Sequence, residues 1–154
     1  MKRFFRIVAI IAAFALSNAV SAADAERGTP EQAVALVKRV IGDIKKYGKD
    51  KVVQDVQNQL PIYRERDLYV TIGTMEGYTL ANGNTPKLAG KNVLDIKDVN
   101  GKFIMRERIE IAKTKNSGWQ EYSWPDPVTK EVQKKSMYVE RAGDLVVACG
   151  VYKL

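Results

Sequence analysis

The chain contains no histidine and a single cysteine. The first absence removes serine–histidine and cysteine–histidine nucleophilic pairs, and every histidine-ligated metal site. The second removes any internal disulfide and leaves Cys149, in the apolar run from Leu145 to Val151, as a buried inert thiol. No apolar run after the first twenty-odd residues is long enough to cross a bilayer. No repeat or low-complexity linker divides the chain, and its 154 residues suit one domain. Nucleic-acid binding is not expected: Lys45, Lys46, Lys49 and Lys51 cluster without interleaved aromatic stacking partners, as a solvated helix end does.

The N-terminus is ordered as an export signal. Lys2, Arg3 and Arg6 form a positive region, Ile7 to Leu16 is apolar, and small residues follow in Val20-Ser21-Ala22-Ala23. Residues 1–23 are therefore read as a leader, with 24–154 as one secreted, periplasmic domain. The precursor carries 25 basic and 18 acidic residues; removing the three leader cations leaves 22 against 18, a mild net charge of +4. Such a field favours small anions over cations as ligands.

The hydrophobic period is helical first. Thr29, Pro30 and Gln32 form a start signal with a capping box, and Ala33, Val34, Val37, Val40, Ile41, Ile44 and Tyr47 recur at helical spacing until Gly48. A second short helix is predicted over 50–59. The pattern then turns to strands: 67–73 and 78–81 as a hairpin about Met75-Glu76-Gly77, and 119–124, 135–141 and 145–152 after a helix at 102–113. That helix carries Met105, Ile109 and Ala112 as its inner stripe, with Arg106 flanking it and expected to reach the interior. The sum is an α+β fold, a long N-terminal helix packed on a five-stranded antiparallel sheet.

Asp98-x-Asn100-Gly101 with Glu107 has part of the spacing of a calcium loop, but Ile96 occupies the first ligand position; a turn leading into a helix accounts for it, and no metal or cofactor is expected. Asp95, Asp98, Glu107 and Glu110 have no nucleophile beside them, so no catalytic residue is assigned. Alternation puts Gln120, Tyr122 and Trp124 on one face of their strand and Trp119 on the other; Lys135, Met137 and Val139 share a face of the next. A strand lysine near aromatics and an interior arginine suits a small carboxylate. The same pattern also fits tryptophans in a core with Lys135 in solvent.

From Asp67 onward the chain resembles a single Cache domain, the extracellular PAS-like sensor module of bacterial chemoreceptors and histidine kinases. The resemblance is carried by Asp67-Leu68-Tyr69-Val70, Leu80-Ala81-x-Gly83, Gly90-Lys91-Asn92-Val93-Leu94-Asp95, Arg106-Glu107-x-Ile109-Glu110, Gly118-Trp119-x-Glu121-Tyr122-x-Trp124-Pro125 and Lys135-x-x-Tyr138-Val139-Glu140-Arg141. It implies a pocket for a small organic acid between the sheet and its covering helix and loops. Arg106, Tyr122, Lys135 and Tyr138 are the implied polar contacts, Trp119 and Trp124 the walls, with Tyr69 and Asn82 alongside. Asn82 departs from the family, which commonly has histidine there, and so supplies no charge. The expected role is ligand sensing without catalysis. Because the sequence stops at Leu154 just after the last strand, output is expected to pass through a partner such as a membrane receptor or kinase. The alternative is an interaction or scaffold protein of the same fold with a filled interior.

Mass spectrometry of the exported protein should find a mature N-terminus at Ala23 or Asp24. Full-length chain retained in the membrane fraction would show an uncleaved anchor instead.

Overall fold

The computed structural model describes residues 27–153, so the predicted leader lies outside the described residues. Among the described residues there is no helix long and apolar enough to cross a membrane. The elements are α1 (Pro30–Tyr47), α2 (Lys49–Gln57), β1 (Arg64–Glu65), β2 (Leu68–Thr74), β3 (Thr79–Asn82), α3 (Ile104–Thr114), β4 (Ser117–Pro125), β5 (Val132–Ala142) and β6 (Leu145–Tyr152). Five strands form the predicted antiparallel sheet in the order β3-β2-β6-β5-β4, and the two-residue β1 adds to it by pairing with Leu68 and Tyr69 at the start of β2.

α1 starts where the capping box requires. Thr29 Oγ1 accepts from the Gln32 amide at 3.3 Å and Gln32 Oε1 accepts from the Thr29 amide at 2.9 Å, satisfying two otherwise orphaned donors. Gly48 ends it at φ +88°, and its amide bonds Ile44 at 3.0 Å. Its ψ of 152° is extended rather than left-handed helical, so the chain turns at once into α2. Ala33, Leu36, Val37, Val40 and Ile41 bury one face of α1 against Val70, Ile72, Val147 and Cys149 of the sheet. Cys149 is fully buried, and burial pushes its thiol up to about 12, as an inert core residue.

The opposite sheet face is covered by α3 and the long segment between β3 and α3. Met137, Val139, Val146 and Ala148 meet Met105, Ile109 and Ala112 there. Gly150 permits the close β5–β6 approach, since a Cβ on it would stand 2.5 Å from the Ser136 carbonyl oxygen. Asp98, read above as a turn residue, is a latch for the covering segment. Its carboxylate accepts from the amides of Asn100 and Lys102, both at 2.9 Å, and from Ser123 of β4 at 3.0 Å. The Ser123 amide, then that of Lys102, holds the carboxyl below the usual range.

The chain just before α1 is pinned by charge. Arg27 Nη1 lies 3.2 Å from Asp67 and 2.7 Å from Asp126, whose side chains are 2% and 0% exposed. The Gly28 amide donates to the other Asp67 oxygen at 2.6 Å, and Asp126 also caps its own turn through the Val128 amide at 2.7 Å. Arg27→Met leaves two buried carboxylates uncompensated and should destabilise the fold by about 3–5 kcal/mol in chemical denaturation. A loss below about 0.5 kcal/mol, the scale of a neutral surface change, would show that the clamp is not structural.

Candidate functional site

Between the sheet and its α3 cover lies a cavity of about 60 Å³. Met105, Met137, Val146, Val93, Ile104 and Trp124 supply apolar wall; Tyr69, Thr71, Thr79, Asn82, Arg108 and Tyr122 supply its polar groups. Among the described residues no aspartate, glutamate, cysteine or serine lines it. Strand parity explains the set. Tyr69 and Thr71 of β2, Tyr122 and Trp124 of β4, and Met137 of β5 point to this face, while their neighbours in sequence point to α1.

The dominant charge is Arg108, 6% exposed. Its Nε donates to Gln120 Oε1, Nη1 to Thr71 Oγ1 and Nη2 to the Tyr122 hydroxyl, each at 3.4 Å. These bonds are long and all three acceptors are neutral; among the described residues no carboxylate pairs with Arg108. A guanidinium carries five N–H donors. With three so engaged, one on each terminal nitrogen remains to meet an anion, and a carboxylate has two oxygens to accept them. Gln120 is itself fixed: its amide nitrogen donates to the Ile104 carbonyl at 2.7 Å and to Glu107 at 2.8 Å, which turns its oxygen toward Arg108. Tyr122 accepts from Arg108, so its own O–H is free for another acceptor.

Asn82 holds its amide by the oxygen. Oδ1 accepts from the Asn84 amide at 3.0 Å and the Thr85 amide at 2.8 Å, so the NH₂ end is the one left for a further partner. Gln57 of α2 steadies the same corner, accepting from the Asn82 amide at 3.3 Å and donating to the Pro86 carbonyl at 2.7 Å.

Lys135 is completely buried behind Tyr69. Its ammonium donates to the hydroxyls of Tyr69 at 2.7 Å and Tyr152 at 3.2 Å, and stands 3.9 and 4.5 Å from the two ring centroids. Burial pulls it down from 10.5 to about 7. Burial also raises the Tyr69 phenol well above its usual 10.

Of the residues expected from sequence, Tyr69, Asn82, Tyr122 and Trp124 line the cavity. Lys135 faces inward, as its alternation with Met137 predicts, but contacts phenols rather than the cavity itself. Three others need correction. Arg106 is on the surface, paired with Asp95 and stacked 4.1 Å from the Phe103 ring centroid; the interior cation of α3 is Arg108. Trp119 and Tyr138 occupy the α1 side of the sheet, in contact at 5.4 Å between ring centroids, because odd residues of β4 pair with even residues of β5 on that face. Trp119 is 42% exposed there. The sequence did carry the signal for Arg108: it stands three residues after Met105 and four before Ala112, within the same helical stripe.

The fold is shared with solved sensor domains. It is similar to a methyl-accepting chemotaxis protein from Vibrio parahaemolyticus, with 22% identity over 79% of this chain and 86% of the other and a TM-score of 0.68. It is similar to a Cache chemosensory domain described for carboxylic acid recognition, with 22% identity over 86% of this chain and 98% of the other and a TM-score of 0.71. A periplasmic sensor domain of a chemotaxis protein superimposes with a TM-score of 0.63 at 23% identity, over 79% of this chain and 88% of the other. The family model for Single Cache domain 2 matches residues 13–153, and with that span the chain belongs to the single Cache domain family.

Proposed function

We propose that this chain is a periplasmic sensor domain that binds a short monocarboxylate without chemistry and passes its occupancy to a signalling partner. The observation that carries this reading is Arg108: a buried guanidinium at a cavity wall, held by three neutral oxygens and paired with no carboxylate among the described residues. A buried charge left unpaired is expensive, and a ligand carboxylate relieves that cost.

The rest of the lining narrows the class. An amino acid or amine would need a carboxylate for its ammonium, and none lines the cavity. A dicarboxylate would be matched by a second cation in contact, and among the described residues Arg108 is the only one in the lining. The methionines, Val146 and Trp124 suit a short apolar tail. About 60 Å³ is roughly four to six times the room one buried water requires, which fits an acid of only a few carbons. Catalysis is disfavoured because no nucleophile and base meet in the lining. The family membership and the carboxylic acid recognition described for one structural neighbour support the same assignment.

Propionate should raise the melting temperature of the purified domain, since it binds the folded state alone. Arg108→Leu should weaken that binding by about 2–5 kcal/mol, the scale for a desolvated charge pair. The ligand-free variant should be no less stable than wild type, because it loses an unpaired buried charge. A folded Arg108→Leu that binds propionate as wild type does would overturn the assignment. A wild-type domain that no short acid stabilises would favour the scaffold alternative.

A further inference from the structure

We propose that Lys135 is a positioning residue of the anion site, acting through Tyr69: its ammonium takes the acceptor side of the phenol, which leaves the Tyr69 O–H to donate to the bound acid. This rests on the monocarboxylate reading above and adds to it a second donor and a dependence on pH.

The geometry follows from counting donors and acceptors. A charged ammonium has three donors and no lone pair, so at 2.7 Å it can only donate to the Tyr69 oxygen. Tyr152 spends its own proton on the Pro125 carbonyl at 2.8 Å. The Tyr69 proton therefore has two destinations: the Tyr152 oxygen, a long 3.3 Å away, or an acceptor in the cavity that Tyr69 lines. An anion held on Arg108 in that cavity is the stronger acceptor. Loss of the lysine proton reverses the arrangement. A neutral amine has a lone pair, and the Tyr69 O–H then donates to it at the same short distance, turning away from the ligand.

Tyr69 of β2 and Tyr152 of β6 meet the Lys135 ammonium directly, and Tyr122 is its cross-strand partner on β4. Asp67 before β2, Asp126 in the β4–β5 turn and Arg108 of α3 act on it through charge, Arg27 of the N-terminal segment pairs both aspartates, and Cys149 lies behind it on the α1 face of the sheet. The phenols and the thiol are raised away from neutrality by burial. Lys135 is lowered by burial to about 7. Bound anion favours the charged form, so binding near neutral pH takes up a proton and affinity falls as pH rises through the lysine's range.

The test is calorimetric titration of propionate into the intact domain between about pH 5.5 and 8.5, a range over which the propionate carboxyl stays ionised. Wild type should lose at least about threefold in affinity from the acid to the alkaline end, with net proton uptake revealed by buffers of different ionisation enthalpy. Lys135→Met should bind more weakly at acid pH and show a flat profile. Tyr69→Phe should also be weaker and flat although its lysine remains, which separates action through the phenol from a direct effect of charge. Melting curves check each variant; should Lys135→Met not fold, Tyr69→Phe decides. A flat wild-type profile, a slope that survives Lys135→Met, or a slope that survives Tyr69→Phe overturns the proposal while leaving the monocarboxylate reading intact. A wild-type domain that binds no propionate at any pH overturns both.

Discussion

The site depends on one buried cation that no carboxylate pairs with among the described residues. Arg108 is held at a cavity wall by Gln120, Thr71 and Tyr122, which orient it without neutralising it. Each of those partners comes from the sheet, and Gln120 is locked in turn by the Ile104 carbonyl and Glu107 of α3 itself. The helix and the sheet thus hold the guanidinium between them. A carboxylate in its place would have completed a structural ion pair and closed the site. Neutral oxygens orient the charge and leave two donors over, which is what a reversible anion site needs.

The two faces of the sheet divide the labour accordingly. The α1 side is packed with valine, leucine and isoleucine and buries Cys149 among them. The α3 side carries the polar interior: Arg108 with its three oxygens toward one end, and Lys135 with Tyr69 and Tyr152 toward the other. Near the second group, Arg27 ties Asp67 to Asp126 and fixes the start of α1 to the start of β2 and the β4–β5 turn. Strand β4, which supplies Tyr122 and Trp124 to the cavity, ends beside this clamp. The chain leading into α1 and the ligand-facing strand therefore share a rigid junction.

Most of the fold was legible because its signals are local. Thr29, Pro30 and Gln32 fix the start of α1 by hydrogen bonds within one turn, and the alternation of β4 and β5 predicted correctly which residues share a face. The last strand, residues 145–152, matches the structure at both ends. The third helix begins at Ile104 instead of 102, since Lys102 is drawn into the Asp98 turn. The site was less legible for a physical reason. Alternation separates Trp119 from Tyr122 correctly; it is the family resemblance that implies Trp119 and Tyr138 as site residues, and in this chain both point to α1. Arg106 and Arg108 differ by two positions on a helix, hence by about 200° around its axis. The surface pair of Arg106 with Asp95 and the three interior bonds of Arg108 are both tertiary contacts that composition does not announce.

Everything proposed for this cavity turns on Arg108 anchoring the ligand's carboxylate. A crystal structure of the domain grown with propionate tests it most directly. The carboxylate should sit on the two remaining guanidinium N–H groups at about 2.7–2.9 Å, the length of a charge-assisted bond. The ethyl group should lie against Met105, Met137 and Trp124. Propionate bound elsewhere, with Arg108 still held only by Gln120, Thr71 and Tyr122, would contradict it.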